Sequence, residues 1–170
     1  ARVENLAVAL AQRLKLTDDD SQTLRFAARL AQVGKIHIPR TVLTKKTKLT
    51  KDEVKQIRAH VDHAVDILSD IDFGLPVVQV IHQMYERLDG SGYPHQKKGP
   101  EISALARVMA VADVFCALIA PRAYRKGKEV SEALEIMQQD AKQFDAEVLQ
   151  ALFDIADKQG PDHLRDVIHG

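Results

Sequence analysis

The side chains best suited to chemistry in this sequence are isolated acids, imidazoles and guanidinium groups, and their spacing limits what each can do. Asp113 lies within Val111-Ala112-Asp113-Val114-Phe115. Burying an uncompensated carboxylate there costs on the order of several kcal/mol, so it requires a partner: a metal, His60, Lys35 or Arg122. The plain structural alternative is an ion pair tying two helices together. Arg107 falls on a different helical face and is not the expected partner. His60 closes a helical segment whose last turn also holds Arg58, so it is either a ligand or a histidine interacting with a helix C-terminal dipole. His82 and Glu86 stand one turn apart. That spacing chelates a metal only if further ligands converge, and otherwise forms an exposed pair worth about 0.3–0.5 kcal/mol.

A second group suits phosphate. Arg122, Arg125, Lys126 and Lys128 cluster around Tyr124, and Lys97 and Lys98 follow a turn that carries Tyr93. Guanidinium forks match phosphate geometry and an aromatic ring can stack on a base, although a solvated basic loop has the same composition. The turn itself, Asp89-Gly90-Ser91-Gly92-Tyr93-Pro94, has two glycines in three residues and a proline exit, which hold Tyr93 on a short, stiff tether as if for presentation. His63, His95, His163 and His169 sit in polar surroundings and read as surface histidines. Cys116 reads as a small core residue, and no nucleophile–base arrangement follows from spacing.

The elements that must position these groups are helical. Val3, Leu6, Leu10 and Leu14 recur at helical spacing, and Asp18-Asp19-Asp20-Ser21 offers a cap for a second helix running to about Gln32 and ended by Gly34. A long connection through Pro39 leads to a capping box, Thr50 with Glu53, and a helix toward His60. Ala64–Leu68 continues as another helical segment. Pro76 opens an apolar stripe of Val77, Ile81, Met84, Tyr85 and Leu88. Residues 104–119 form the most apolar helix, expected at the centre, and Pro121 stops it. Helices starting at Ser131 and Asp145 and a short terminal one complete an all-α, single-domain bundle of about seven to nine helices.

Lysine plus arginine and aspartate plus glutamate are both 24, so the formal charge is zero and nothing global favours nucleic acid or an anionic membrane. The 170 residues, 45% of them apolar, contain no long uncharged run, so no membrane insertion is expected. One cysteine and no signal peptide favour a reducing cytoplasm. The chain opens in helical pattern without an initiator methionine, which suggests an output domain (1–170) of a longer signalling protein.

Several segments, in order, resemble the HD-GYP family, bacterial phosphodiesterases that open cyclic di-GMP at a di- or trinuclear iron or manganese centre. They are Gly34-Lys35-Ile36 with Ile38-Pro39, the Thr50 to Glu53 cap, Arg58-Ala59-His60, Asp89 to Pro94, Ala110 to Phe115, Tyr124-Arg125-Lys126 and Gln143-Phe144-Asp145. The resemblance implies an HD-domain-like fold. It also implies losses. The family's His-Asp pair corresponds to Ala31 and Gln32, and the His-His of its His-His-Glu triplet to Met84 and Tyr85. Of six matched ligand positions only His60 and Asp113 keep their residue type.

Metal-cluster hydrolysis needs a metal-generated hydroxide and a Lewis acid held by a preorganised ligand set. The expectation is therefore a catalytically degenerate member with no metal cofactor and no catalytic residues. The resemblance places ligand contacts at Tyr93, Arg122 and Arg125, and a partner loop at Asp89, Gly90, Gly92, Tyr93 and Pro94. It implies cyclic di-GMP and a GGDEF-domain protein as partners, and the apolar helices leave room for a second copy of the chain. An active cyclic di-GMP phosphodiesterase and a nucleotide-independent structural or dimerisation domain are the alternatives.

Overall fold

A computed structural model describes residues 1–121 and 127–169, with the side chains of Lys158, Gln159, Pro161 and Asp162 excepted. The described residues form nine α-helices and three 3₁₀ turns, with a single isolated bridge between Asp89 and Lys98 in place of any strand. The all-α expectation holds.

Helices α1 (Arg2–Arg13) and α2 (Asp18–Leu30) pack as an antiparallel pair fastened by Glu4, whose carboxylate takes Arg29 in a forked ion pair at 2.6 and 3.0 Å. Arg29 holds the Glu4 carboxyl below the usual range. The α2 cap is Thr17, one residue earlier than the acidic run suggests. Its hydroxyl accepts from the Asp20 amide while the Asp20 carboxylate accepts from the Thr17 amide, leaving the acids in the first turn, where the helix dipole favours them.

Gly34 does not end α2. The helix stops at Ala31, and Gly34 lies inside a 3₁₀ turn, Val33–His37, that packs against α5 (His60–Leu68). Its missing side chain is what permits the contact, since a Cβ there would lie 1.9 Å from the carbonyl oxygen of His60. A short α3 (Arg40–Leu43) interrupts the predicted connection. The Thr50–Glu53 capping box then opens α4 (Lys51–Arg58), with Lys45 paired to Glu53 at 2.7 Å. His60 is thus the first residue of α5, beyond a break at Ala59, and not the end of α4.

Helix α6 (Val77–Gln83) is shorter than its apolar stripe implies, because the chain turns after Gln83 while Met84 and Tyr85 stay packed in the core. Helix α7 (Ala104–Ile119) is central as expected, contacting α1, α2, α6, α8 (Val130–Gln139) and α9 (Ala146–His169). Its first turn is fixed by Arg107, which donates to the carbonyls of Gly99 and Ile102 and to Asp145, the acid that caps α9. Gly160, at φ +82°, breaks α9 and sets off the terminal helical segment. No helix of the described residues is long and apolar enough to cross a membrane.

Candidate functional site

Four elements meet around the positions singled out in the sequence: the end of α2, the start of α5, the turn after α6, and the middle of α7. From the first comes Gln32, whose side-chain amide donates to the Tyr85 hydroxyl at 2.9 Å. Tyr85 lies with its ring edge-on to His60, centroids 5.1 Å apart. Burial, with the Asp113 carboxylate as a smaller contribution, pushes the Tyr85 phenol well above its ordinary pKa. Met84 is packed in the core, as its place in the stripe predicts.

His60 is almost fully enclosed. Its Nδ1 donates to the Ile57 carbonyl at 2.7 Å, which leaves Nε2 as an unprotonated acceptor with no hydrogen-bond partner. The sequence offered His60 as a partner for Asp113, and that pair is not formed. The expected interaction with a helix C-terminus is present in the bond to Ile57, which lies in the last turn of α4, but burial outweighs it in setting the chemistry of His60. Asp113 is half-buried, facing a cavity of about 330 Å³ beside Gln32, Met84 and Arg2. The carboxylate is thus partly open to solvent, and not fully buried in the apolar helix as the sequence implies.

Desolvation lowers the His60 pKa below the ordinary value of about 6.5. A depressed folded-state pKa means that the unfolded chain takes up the proton first. The stabilising contribution is complete above about pH 6.5 and is lost as pH falls from there toward the folded-state value, by up to about 1.4 kcal/mol per unit. Urea midpoints measured from pH 7.5 to 5.5 should fall more steeply in the wild type than in His60→Leu; parallel slopes would contradict the assignment.

The loop after α6 is built on Glu86. Its carboxylate is 1% exposed and accepts the amides of His95 at 2.7 Å and Lys97 at 3.0 Å, so both oxygens are committed to the loop backbone. Glu86 is accordingly unavailable as a chelating partner of His82, the pairing suggested by their spacing. Gly92 lets the loop lie directly on the turn, because a Cβ there would be 2.5 Å from the backbone of Tyr85, Glu86 and Arg87. Gly90 takes φ +80°, and Asp89 accepts from the Ser91 amide and hydroxyl. Tyr93 is half-buried, not presented outward. Its ring stacks on Tyr85 with centroids 5.2 Å apart and 13° between planes, and the Arg58 guanidinium lies over it at 4.8 Å.

Arg58 belongs to a basic stripe that sequence reading passed over. Lys51, Lys55 and Arg58 follow the i, i+4, i+7 spacing of one helix face and line a groove of about 350 Å³ with Tyr93 and Pro94, where Asp62 is the one acid. The charge pattern of 51–58 was the available signal. Arg122 and Arg125, expected to contact phosphate, lie outside the described residues.

A family model for the HD domain matches residues 1–148. The chain is 36% identical over 147 residues to a cyclic di-GMP phosphodiesterase of Pseudomonas aeruginosa, covering 86% of this chain and 36% of that protein. It is 34% identical over 131 residues to 3'3'-cGAMP-specific phosphodiesterase 3 of Vibrio cholerae, covering 77% and 28% respectively. The cyclic di-GMP phosphodiesterase response regulator RpfG of Xanthomonas campestris is 35% identical over 154 residues, covering 89% and 41%. The chain therefore spans less than half the length of these relatives. Two solved structures share the fold at a TM-score of 0.70. One is an HDG"Y"P protein from Bdellovibrio bacteriovorus, 24% identical, with 99% of this chain and 51% of that one covered. The other is a cyclic GMP-AMP-specific phosphodiesterase of V. cholerae, 19% identical, with 98% and 47% covered.

Proposed function

The chain belongs to the HD domain family, and from that membership we propose that it is a catalytically degenerate domain of the HD-GYP type, acting in cytoplasmic signalling as a receptor or interaction module. The observation that carries this reading is the hydrogen bond between Gln32 and Tyr85. The two residues that the family resemblance matches to a bridging aspartate and a histidine ligand are here bonded to each other. The donor set supports the same reading. His60 Nε2 is a free lone pair and Asp113 a carboxylate, but Ala31 and Met84 bring no hard donor, and the raised pKa keeps the Tyr85 phenol protonated. Two donors do not fit a cluster that needs bridging and terminal ligands on each ion. No hydrolytic step is assigned.

What the chain retains is a place for a phosphate-bearing ligand. The cations of Lys51, Lys55 and Arg58 beside Tyr93 suit the paired phosphates of a cyclic dinucleotide, with cyclic di-GMP the first candidate given the relatives, and Arg122 and Arg125 as further contacts. The loop 89–94, closed by Glu86, is the surface proposed for a GGDEF-domain protein or a second copy of the chain.

Calorimetry with cyclic di-GMP and 3'3'-cGAMP tests the reading. Saturable binding weakened about tenfold or more by Arg58→Ala is expected, in line with loss of a charged hydrogen bond worth roughly 1.5–3 kcal/mol. Tyr93→Ala should weaken it as well. Absence of heat at high ligand concentration would leave the structural alternative. Two iron or manganese ions per chain together with linearised dinucleotide would overturn the degenerate assignment.

A further inference from the structure

Beside the Tyr93 loop, three side chains that the sequence gives no reason to connect converge on one point. Asp62 comes from the first turn of α5, His82 from the last turn of α6, and His95 from the residue after Pro94. Their ligand atoms all lie within 4.8 Å of one another. His82 Nε2 stands 2.8 Å from His95 Nε2 and 3.5 Å from the Asp62 carboxylate, and the two rings meet at 89° with centroids 4.7 Å apart. None of the three occupies a position matched to the family's ligands, and none contributes to the Gln32–Tyr85 site.

We propose that Asp62, His82 and His95 form a zinc-type divalent metal site that clamps the Tyr93 loop to α5 and α6. The chemistry of the donors carries the argument. Two imidazole nitrogens and a carboxylate are the mixed N/O set that suits Zn²⁺, three protein ligands being the number that leaves a fourth position for water. The backbone that carries the ligands is held: His95 is anchored by its own amide on Glu86, and His82 and Asp62 stand on helices that pack on each other. Hydrogen bonding alone accounts for the cluster less well. One proton on His82 Nε2 serves either the imidazole or the carboxylate, whereas a cation attracts all three donors together.

The partial exposure of His82 and the exposure of His95 and Asp62 make the site reachable from solvent without opening the core. An ion there would join α5, α6 and the loop through side chains, in addition to the Glu86 hydrogen bonds to the loop backbone. Loop position would then depend on metal.

Zinc titration of the chelator-treated chain, followed by calorimetry and melting temperature, tests the site. One equivalent should bind saturably and raise the melting temperature, and Co²⁺ substitution should give visible absorption of a tetrahedral or five-coordinate centre. His82→Ala and His95→Gln should each weaken binding at least tenfold and remove the thermal shift, with Asp62→Asn weakening it less. His60→Leu and Asp113→Asn should leave it unchanged. Circular dichroism of each variant separates loss of binding from loss of fold. No saturable zinc binding, or binding that survives His82→Ala and His95→Gln, would overturn the proposal. So would binding abolished by His60→Leu in a folded chain.

Discussion

Gly34→Ala should be among the most damaging small substitutions of the described residues, lowering stability by about 3 kcal/mol or more, beyond the usual range for an added methyl group. The added carbon would sit 1.9 Å from the His60 carbonyl oxygen and 2.6 Å from the Ala64 amide nitrogen. Both are backbone atoms of α5, so no rotamer change relieves the overlap and the 3₁₀ turn must separate from the helix. For a chain of this size the loss corresponds to a fall in melting temperature of roughly 6–12 °C. Gly74→Ala is the control. Its Cβ meets nothing within 4 Å, and only its φ of +63° opposes a side chain, a cost of about 1 kcal/mol. Equal melting temperatures for the two variants would show that the turn yields where the packing says it cannot. The damage also reaches the site, since moving α5 moves His60 away from Tyr85.

Glu86→Ala comes next. Two loop amides lose their acceptor inside a site that water does not reach, and each hydrogen bond to a carboxylate is worth about 1.5–3 kcal/mol, not fully additive. A loss of about 3 kcal/mol is expected. Glu86→Gln should cost roughly half as much, because it keeps one oxygen but sets an NH₂ group against a peptide N–H. The local readout is amide exchange. Protection of His95 and Lys97 should collapse in Glu86→Ala while amides of α7 change only with global stability. Unchanged exchange at these two amides would remove Glu86 from its role as the loop anchor.

Much of the helical frame was legible in the sequence, for reasons that are local. The Thr50–Glu53 box is complete within four residues, and the run of 104–119, apolar but for Arg107 and Asp113, has its most stable place at the centre. The misreadings concern residues whose partners are distant in sequence. Glu86 resembled a surface acid because its acceptor role depends on how the chain returns at 95 and 97. Tyr93 resembled a presented side chain because the ring that covers it, Tyr85, was assigned to a longer α6. Gly34 resembled a helix terminator because close approach to α5 leaves no mark in the local sequence. Asp62, His82 and His95 had no shared signal, being brought together only by the packing of α5 on α6 and the closure of the loop. The Lys51, Lys55 and Arg58 stripe, by contrast, was readable from helical spacing.

The stacked pair has an optical consequence. The chain has three tyrosines and no tryptophan, so Tyr85 and Tyr93, held face to face, supply a large part of its near-ultraviolet signal. Rings at that separation couple as chromophores, and their dichroism depends on mutual orientation. Both phenols also resist ionisation through burial, so the tyrosinate absorbance of these two rings should develop only at a pH above that of a free phenol, near 10. A ligand or partner that displaces the loop would separate the rings and expose Tyr93. The protein thus carries an internal gauge of loop position, readable without a label.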